Sequence, residues 1–165
     1  MGIIVTGLAP RCGTSAMMRL LLDNGWSPSP VSEKFPEYVA PEMNPDGFWD
    51  VTKEWGENPT SVSLKKSECV KLWYQHFPYV DPKSVDLIIA MYREDEDQQT
   101  ASIYKCAAAE GAEWSEALID RARRITPFLA KASFPSVPML SVETEELRSN
   151  PEIIISKVKE AALCQ

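Results

Sequence analysis

The residues best suited to chemistry lie near the start of the chain, in a short turn between two apolar stretches. Residues 7–15 read GLAPRCGTS, and the apolar run IIVT comes immediately before them. Gly7 and Gly13 let the backbone approach a ligand closely, and Arg11 contributes a forked, permanently protonated cation. Backbone N–H groups at the start of a helix bind anionic oxygens. The pattern therefore predicts a loop that binds a phosphate or a related oxyanion.

This loop differs from the common ATP-binding loop, whose pattern is G-x-x-x-x-G-K-[ST]. Five residues separate Gly7 from Gly13, and Thr14 occupies the position of the lysine that would reach the terminal phosphates of ATP. Arg11 can supply positive charge to a phosphate without the magnesium ion that a triphosphate normally brings. These differences favour a phosphate compound other than magnesium-bound ATP.

Residues 10–15, PRCGTS, resemble the P-[RK]-S-G-T-[ST] loop of the sulfotransferase family. In that family the loop binds the 5′-phosphosulfate of the sulfonate donor 3′-phosphoadenosine 5′-phosphosulfate (PAPS), and the nucleotide product is 3′-phosphoadenosine 5′-phosphate (PAP). The chain departs from the pattern where Cys12 replaces the usual serine. The resemblance implies that the cofactor is PAPS and that no metal is required. It assigns the following residues to cofactor binding: Arg11, Cys12, Gly13, Thr14 and Ser15.

Further matches to the same family are distributed along the chain. Lys71 matches a lysine at the end of a strand that contacts the bridging oxygen as charge develops on the leaving phosphate, so the resemblance implies a catalytic role. Arg93 resembles the arginine that binds the 3′-phosphate of the donor, and Ser102, nine residues later, is its expected partner. Residues 141–163 resemble the family's Y-E-[DE]-L-x-x-[DN]-P-E stretch and the terminal helix that follows it.

Residues 43–50, MNPDGFWD, resemble the N-P-x-G-[FY]-[WF]-E segment that lies over the substrate site in bacterial and phage members of the family. On the residues alone, a Pro-Asp-Gly turn flanked by packing aromatic side chains is the simpler explanation. The segment belongs to a proline-rich stretch, residues 27–67, that also contains several aromatic residues. We interpret this stretch as a cap or lid that folds over the site.

The sequence does not determine which residue is the general base. His76 has the side chain best tuned for proton transfer near neutral pH, and it is the catalytic candidate. It follows Lys71 by five residues, whereas the cytosolic branch of the family has its histidine two residues after the lysine. Asp50 and Glu42, both in the cap, remain alternatives.

The remaining pattern predicts the elements that must position these residues. A continuous apolar run at 86–93 predicts a buried parallel strand in addition to the opening one, and the stretches at 69–73 and 137–142 are interpreted as further strands. Helices are predicted from Thr14 or Ser15 to Asn24, from Asp95 or Asp97 to Ala109, from Glu113 to about Ile125, and from Asn150 onward. Pro127 is expected to interrupt the third helix, whose apolar face is predicted to be Trp114, Leu118, Ala122 and Ile125.

These elements predict one α/β domain over residues 1–165, with the cap at 27–67 inserted in it. The expected architecture is a three-layer, P-loop NTPase-like fold, in which a central mostly parallel sheet of about four strands is flanked by helices. In such folds the chemistry lies at the carboxyl ends of the strands. The loop at 7–15, Lys71 and Arg93 are all predicted to lie at that edge.

Composition and charge narrow the classes of partner. With 44% hydrophobic and 25% charged residues, the chain has no apolar run near the roughly 20 residues of a membrane span, and it shows no signal-peptide pattern. We therefore expect a cytoplasmic protein with no membrane partner. A net charge of −7 disfavours nucleic-acid binding. The four scattered cysteines predict neither a disulfide framework nor a metal site.

The resulting hypothesis is a PAPS-dependent sulfotransferase that acts on a hydroxyl or amine of a small-molecule, glycan or peptide acceptor. One alternative is a small P-loop kinase that uses ATP to phosphorylate a nucleotide or metabolite. A second is a non-catalytic nucleotide-binding module derived from the sulfotransferase fold. The sequence leaves the acceptor and the oligomeric state open, and a homodimer is among the alternatives.

Overall fold

The computed structural model describes residues 2–35, 48–110 and 115–163 of the chain. The strands are β1 (Ile3–Gly7), β2 (Ser27–Pro28), β3 (Ser32–Phe35), β4 (Phe48–Val51), β5 (Glu68–Lys71), β6 (Leu87–Tyr92) and β7 (Met139–Glu143). The helices are α1 (Thr14–Asp23), α2 (Lys53–Glu57), α3 (Glu96–Glu110), α4 (Glu116–Ser133), α5 (Thr144–Ser149) and α6 (Pro151–Leu163). Two 3₁₀ segments, Tyr74–Tyr79 and Pro82–Ser84, lie between β5 and β6.

Five strands form the central sheet in the order β2-β5-β1-β6-β7, and neighbouring strands are parallel throughout. The predicted α/β architecture with a mostly parallel sheet is therefore confirmed, but the predicted number of about four strands is wrong. The additional strand is β2, whose two residues pair with β5 at one edge. A segment this short carries no periodic signal in the sequence. Separately, β3 and β4 form an antiparallel hairpin.

The core lies on both faces of the central sheet, because alternate residues of each buried strand point to opposite sides. In β1, Ile3 and Val5 belong to a cluster with the apolar faces of α1 and α6, whereas Ile4 belongs to a cluster with Phe77 and Phe134 on the other face. All of β1 and β5 and nearly all of β6 are buried. Three layers result, with the sheet in the middle.

The strand order reverses beside β1. The chain leaves β1 toward one edge, where β2 and β5 lie, and later leaves β6 toward the opposite edge, where β7 lies. In open parallel sheets, a crevice for ligands forms at such a reversal, outside the carboxyl ends of the strands. The loop after β1 is positioned at this crevice.

Helix α4 differs from its prediction in length and in its buried face. Pro127 lies inside the helix, which continues to Ser133, so the predicted end near Ile125 is wrong. After the proline, the buried Phe134 packs edge-on against Phe77 at 5.6 Å between ring centroids, and this contact favours the extension against the roughly 3 kcal/mol cost of an internal proline. Ala122 is buried as predicted, but Leu118 is exposed and Ile125 is only partly buried, and the other buried residues are Ile119, Thr126 and Ala130. Trp114 lies outside the described residues.

The other long helices follow the sequence closely. Asp95 precedes α3, and its carboxylate accepts a hydrogen bond from the Gln98 N–H, as a helix N-cap does. Ile154 and Val158 of α6 are fully buried, as their spacing predicts. The short helix α5 was not predicted from the sequence. The side chain of Glu143 caps it by accepting a hydrogen bond from the N–H of Glu146 at 2.7 Å.

Candidate functional site

The loop between β1 and α1 is shaped to expose backbone N–H groups. Arg11 and Gly13 have positive φ angles of 63° and 79°, which turn the chain sharply before the helix. No side chain caps the N-terminus of α1, and its first turn contains no acidic residue. The first N–H groups of a helix have no acceptor within the helix. This terminus therefore offers donors and positive dipole character to an oxyanion.

Cys12 faces the interior of this loop. Its side chain is buried, and its thiol donates a hydrogen bond to the Ala9 carbonyl oxygen at 2.9 Å. Burial raises the pKa of the Cys12 thiol to about 11, with nearby Lys71 and backbone hydrogen bonds opposing the shift. A Cβ atom added to Gly7 would lie 2.4 Å from the Cys12 sulfur, so Gly7 makes room for the thiol. Cys12 can reach a ligand through its backbone, but its sulfur is not placed to react.

Arg11 and Ser102 are brought together. The Nε atom of Arg11 lies 3.3 Å from the Ser102 hydroxyl oxygen on α3. The sequence associates Ser102 with Arg93 instead, as a pair for a 3′-phosphate. The structure links the hydroxyl to the loop arginine, so α3 supports the cation that follows β1.

Arg93 is buried at the end of β6 and forms an ion pair. Its Nε atom lies 3.1 Å from a carboxylate oxygen of Glu145, although the N–H direction does not meet hydrogen-bond geometry. A hydrogen bond with Glu143 and burial raise the pKa of Glu145, and Arg93 offsets only part of that shift. A phosphate that binds Arg93 must therefore compete with the Glu145 carboxyl group.

Lys71 lies at the crevice, at the end of β5. It is paired in register with Val5, two residues before the loop begins at Gly7. Its Nζ atom donates a hydrogen bond to the Asp50 carboxylate at 3.0 Å and lies within 6 Å of the ring centres of Phe48 and Trp73. The side chain is nearly buried. A single carboxylate and two aromatic faces thus hold the lysine next to the loop.

The β3–β4 hairpin is attached directly to the first turn of α1. The backbone N–H of Trp49 donates a hydrogen bond to the Ser15 hydroxyl oxygen at 3.2 Å. Asp50, the next residue of β4, is the partner of Lys71. Since a hydroxyl that accepts a hydrogen bond can still donate one, Ser15 retains a proton for a ligand. Asp50 and Ser15 therefore connect the hairpin to the site.

His76 lies in the 3₁₀ segment that follows Lys71, within a mostly apolar environment. It is buried, its ring packs 5.3 Å from the Trp55 ring, and its Nδ1 atom has no hydrogen-bond partner among the described residues. Burial lowers the pKa of His76, and the Asp50 carboxylate opposes the shift. Asp50 thus contacts Lys71 directly and acts on His76 through its charge.

Several contacts within the site have no signal in the sequence. Asp50 is recognisable only as a candidate base, and its ion pair with Lys71 joins residues that lie 21 positions apart. The contacts of Gln99 and Thr144 with the loop span 89 and 132 positions. Glu42, the other candidate base, and residues 43–47 of the MNPDGFWD segment lie outside the described residues.

Comparisons of this chain with protein-family models, with curated proteins and with solved structures returned no match. Within residues 2–35, 48–110 and 115–163, no helix combines the length and apolar character needed to cross a bilayer. The same residues contain no group of three or more His, Cys, Asp and Glu side chains arranged to hold a metal ion. The functional argument therefore depends on the site itself.

Proposed function

We propose that this protein is a PAPS-dependent sulfotransferase that moves a sulfonate group to a hydroxyl or amine of an acceptor. The observation that carries the proposal is the position of Lys71. A nearly buried lysine at the end of β5 lies beside a loop of positive-φ residues and an uncapped helix N-terminus. Together they provide a cation and N–H donors for a phosphate whose negative charge increases during the reaction.

The loop would hold the 5′-phosphate of the donor. The N–H groups of the first turn of α1 and the guanidinium of Arg11 would place positive charge on two sides of this phosphate. Ser15 would add its remaining hydroxyl proton. Lys71 would exchange the Asp50 carboxylate for the bridging oxygen between phosphorus and sulfur. Arg93 would exchange Glu145 for the 3′-phosphate in the same way.

The reaction would be an in-line displacement at sulfur. The acceptor oxygen or nitrogen forms a bond to sulfur while the bond between sulfur and the bridging oxygen breaks, and the leaving phosphate becomes the 5′-phosphate of PAP. Lys71 stabilises the charge that develops on this leaving oxygen, which lowers the barrier more than it strengthens ground-state binding.

His76 would accept the proton released by the acceptor. Its lowered pKa keeps the imidazole neutral near pH 7. Asp50, freed from Lys71, would stabilise the resulting imidazolium. The acceptor would enter beneath the β3–β4 hairpin, where the aromatic residues Phe48 and Trp49 lie close to the loop.

Binding of PAP is the first test. A ligand that binds only the folded protein at 100 times its Kd stabilises it by about 2.7 kcal/mol, or roughly 5–10 °C in Tm for a chain of this size. We expect such a shift with PAP and a smaller one with ATP, with or without Mg²⁺. Arg11→Ala should abolish the shift, whereas Arg121→Ala, which removes an exposed arginine on α4, should not.

Transfer of labelled sulfonate from PAPS to a panel of hydroxyl and amine acceptors is the second test. Lys71→Met should remove transfer. The control variant Lys83→Met should retain it, because Lys83 lies before β6, at the amino-terminal ends of the strands. A shift with ATP and Mg²⁺ that exceeds the shift with PAP would refute the donor assignment and support the kinase alternative.

The non-catalytic alternative is favoured by one pair of observations. Two of the three cations expected to contact the donor, Lys71 and Arg93, are paired with carboxylates, Asp50 and Glu145. A module that only binds nucleotide would show the PAP shift and no transfer to any acceptor in the panel. That result would separate binding from catalysis.

A further inference from the structure

Two buried polar side chains from other helices form hydrogen bonds with the loop between β1 and α1. The Thr144 hydroxyl oxygen, at the start of α5, lies 2.9 Å from the Cys12 carbonyl oxygen. The Nε2 group of Gln99 on α3 donates a hydrogen bond to the Pro10 carbonyl oxygen at 2.9 Å. Both side chains are at most 2% exposed. Each of them therefore determines the direction of one carbonyl group in the loop.

The direction of a carbonyl determines the direction of the next N–H group. In a trans peptide the C=O of one residue and the N–H of the following residue point in opposite directions, and the described residues contain no cis peptide. Because Thr144 holds the Cys12 carbonyl, the Gly13 N–H points away from Thr144. Because Gln99 holds the Pro10 carbonyl, the Arg11 N–H points away from α3.

From this arrangement we propose that Thr144 and Gln99 are positioning residues, which direct the N–H groups of Gly13 and Arg11 toward the oxyanion. The proposal rests on the oxyanion-binding role of the loop in the proposed function. It assigns to α3 and α5 the role of orienting the loop. Neither side chain needs to contact the ligand.

The contacts around Thr144 support this role. Its hydroxyl oxygen lies 2.9 Å from the Cys12 carbonyl oxygen and 2.8 Å from that of Tyr92 at the end of β6, so the two carbonyl groups share its single proton. A Cβ atom on Gly13 would lie 3.1 Å from the Thr144 methyl carbon, so the two residues are in close contact. Thr144 thus ties the loop to the neighbouring strand while it packs against the residue whose N–H it orients.

The contacts around Gln99 show how its own side chain is oriented. Its Oε1 atom accepts a hydrogen bond from an Nη atom of Arg123 on α4 at 2.9 Å, which leaves the Nε2 group for the Pro10 carbonyl. Arg123 is held in turn by Glu96 at 3.1 Å and by Asp120 at 3.3 Å. This chain of contacts connects α4 through Gln99 of α3 to the loop.

The test measures binding of inorganic pyrophosphate and of PAP by calorimetry, together with the ¹H–¹⁵N NMR signals of Gly13 and Arg11. Thr144→Val keeps the shape of the side chain and removes the hydroxyl group. We expect Kd to increase about 10-fold or more, as for the loss of a hydrogen bond to a charged group, and the ligand-induced shift of the Gly13 signal to decrease. Thr144→Ser keeps the hydroxyl group, so its Kd and its Gly13 signal shift should equal those of the unmodified protein.

The control variant for stability is Thr126→Val. Thr126 is as buried as Thr144, and its hydroxyl donates to the Ala122 carbonyl oxygen at 2.8 Å inside α4, away from the loop. Both valine variants should lower the stability of the fold, but only Thr144→Val should weaken ligand binding. A Kd for Thr144→Val equal to that of the unmodified protein would overturn the proposal.

A second pair of variants decides the question if Thr144→Val does not fold. Gln99→Glu keeps an acceptor for Arg123 and removes the donor to Pro10, while Gln98→Glu adds the same charge at an exposed neighbouring position. The proposal requires that Gln99→Glu weakens binding and reduces the Arg11 signal shift by much more than Gln98→Glu does.

The two ligands separate this inference from the donor assignment. If the protein binds pyrophosphate with the expected variant effects but does not bind PAP, the donor assignment is wrong and the positioning role stands. If it binds PAP and the variants have no effect, the positioning role is wrong and the donor assignment stands. If it binds neither ligand, both are wrong.

Discussion

The ion pair between Lys71 and Asp50 makes the sharpest prediction about the site. The two charged atoms are 3.0 Å apart, with side chains that are 10% and 26% exposed. At an effective dielectric constant of about 20, two charges at this distance attract each other by about 5 kcal/mol before the cost of desolvation. Removing one partner of a buried pair costs about 3–5 kcal/mol, and exposed pairs contribute about 0–1 kcal/mol. Because Asp50 is partly exposed, we expect about 2 kcal/mol for this pair.

A double-mutant cycle measures that value. Asp50→Asn, Lys71→Met and the double variant are compared by urea denaturation, and the coupling free energy should be about 1.5–2 kcal/mol. The pair of Lys53 and Glu57 on α2, at 3.8 Å with side chains 84% and 62% exposed, is the matched control. Its coupling should be about 0.5 kcal/mol or less.

The same variants test whether Lys71 exchanges its partner Asp50 for the phosphate of the donor. If Lys71 must leave Asp50 to bind a phosphate, Asp50→Asn should be less stable than the unmodified protein and yet bind PAP more tightly, by about 10-fold for each 1.4 kcal/mol released. Calorimetric titration with PAP measures this. A coupling below about 0.5 kcal/mol, or weaker PAP binding by Asp50→Asn, would refute the reasoning.

Three further predictions concern the loop and the buried titratable groups. Gly7→Ala should destabilise the fold by about 2–3 kcal/mol in urea denaturation, because its Cβ would lie 2.4 Å from the Cys12 sulfur, and adding Cys12→Ala should recover part of the loss. Because burial lowers the pKa of His76, the unfolded chain takes up a proton that the folded chain does not, so stability should fall as pH decreases below about 6.5. His76→Gln should flatten that dependence, and the signal of this single histidine should titrate below the usual range. Alkylation of the native protein at pH 8, followed by mass spectrometry, should modify Cys106 before the buried Cys12 and Cys69, and equal rates at the three sites would contradict the described burial.

The opening unit of the fold shows how much local pattern can predict. The strand at Ile3–Gly7, the turn with its two glycines and the helix that begins at Thr14 follow from an apolar run, turn residues and helical spacing, all within about 20 residues. The buried strand Leu87–Tyr92 and the helix that begins at Pro151 follow from the same kind of signal. The carboxyl-edge placement of Lys71 and Arg93 also follows, because parallel strands end at a common edge.

Helix α4 and the hairpin show where local pattern is insufficient. Pro127 has a strong local tendency to end a helix, yet the contact of Phe134 with Phe77, more than 50 residues earlier, stabilises the extension. The hairpin formed by β3 and β4 has mixed exposure and therefore no clear alternation of polar and apolar residues. Both outcomes depend on contacts with distant parts of the chain.

The amino-acid sequence by itself determined that a turn with two glycines joins the first strand to the first helix, because the apolar run, the turn residues and the helical spacing act through the local backbone. Only the tertiary structure decided which partners the candidate site residues have. It pairs Arg11 with Ser102, Arg93 with Glu145 and Lys71 with Asp50. Ion pairs and side-chain hydrogen bonds act over about 3 Å, so they depend on how the strands and helices pack, and residue spacing along the chain does not encode that packing.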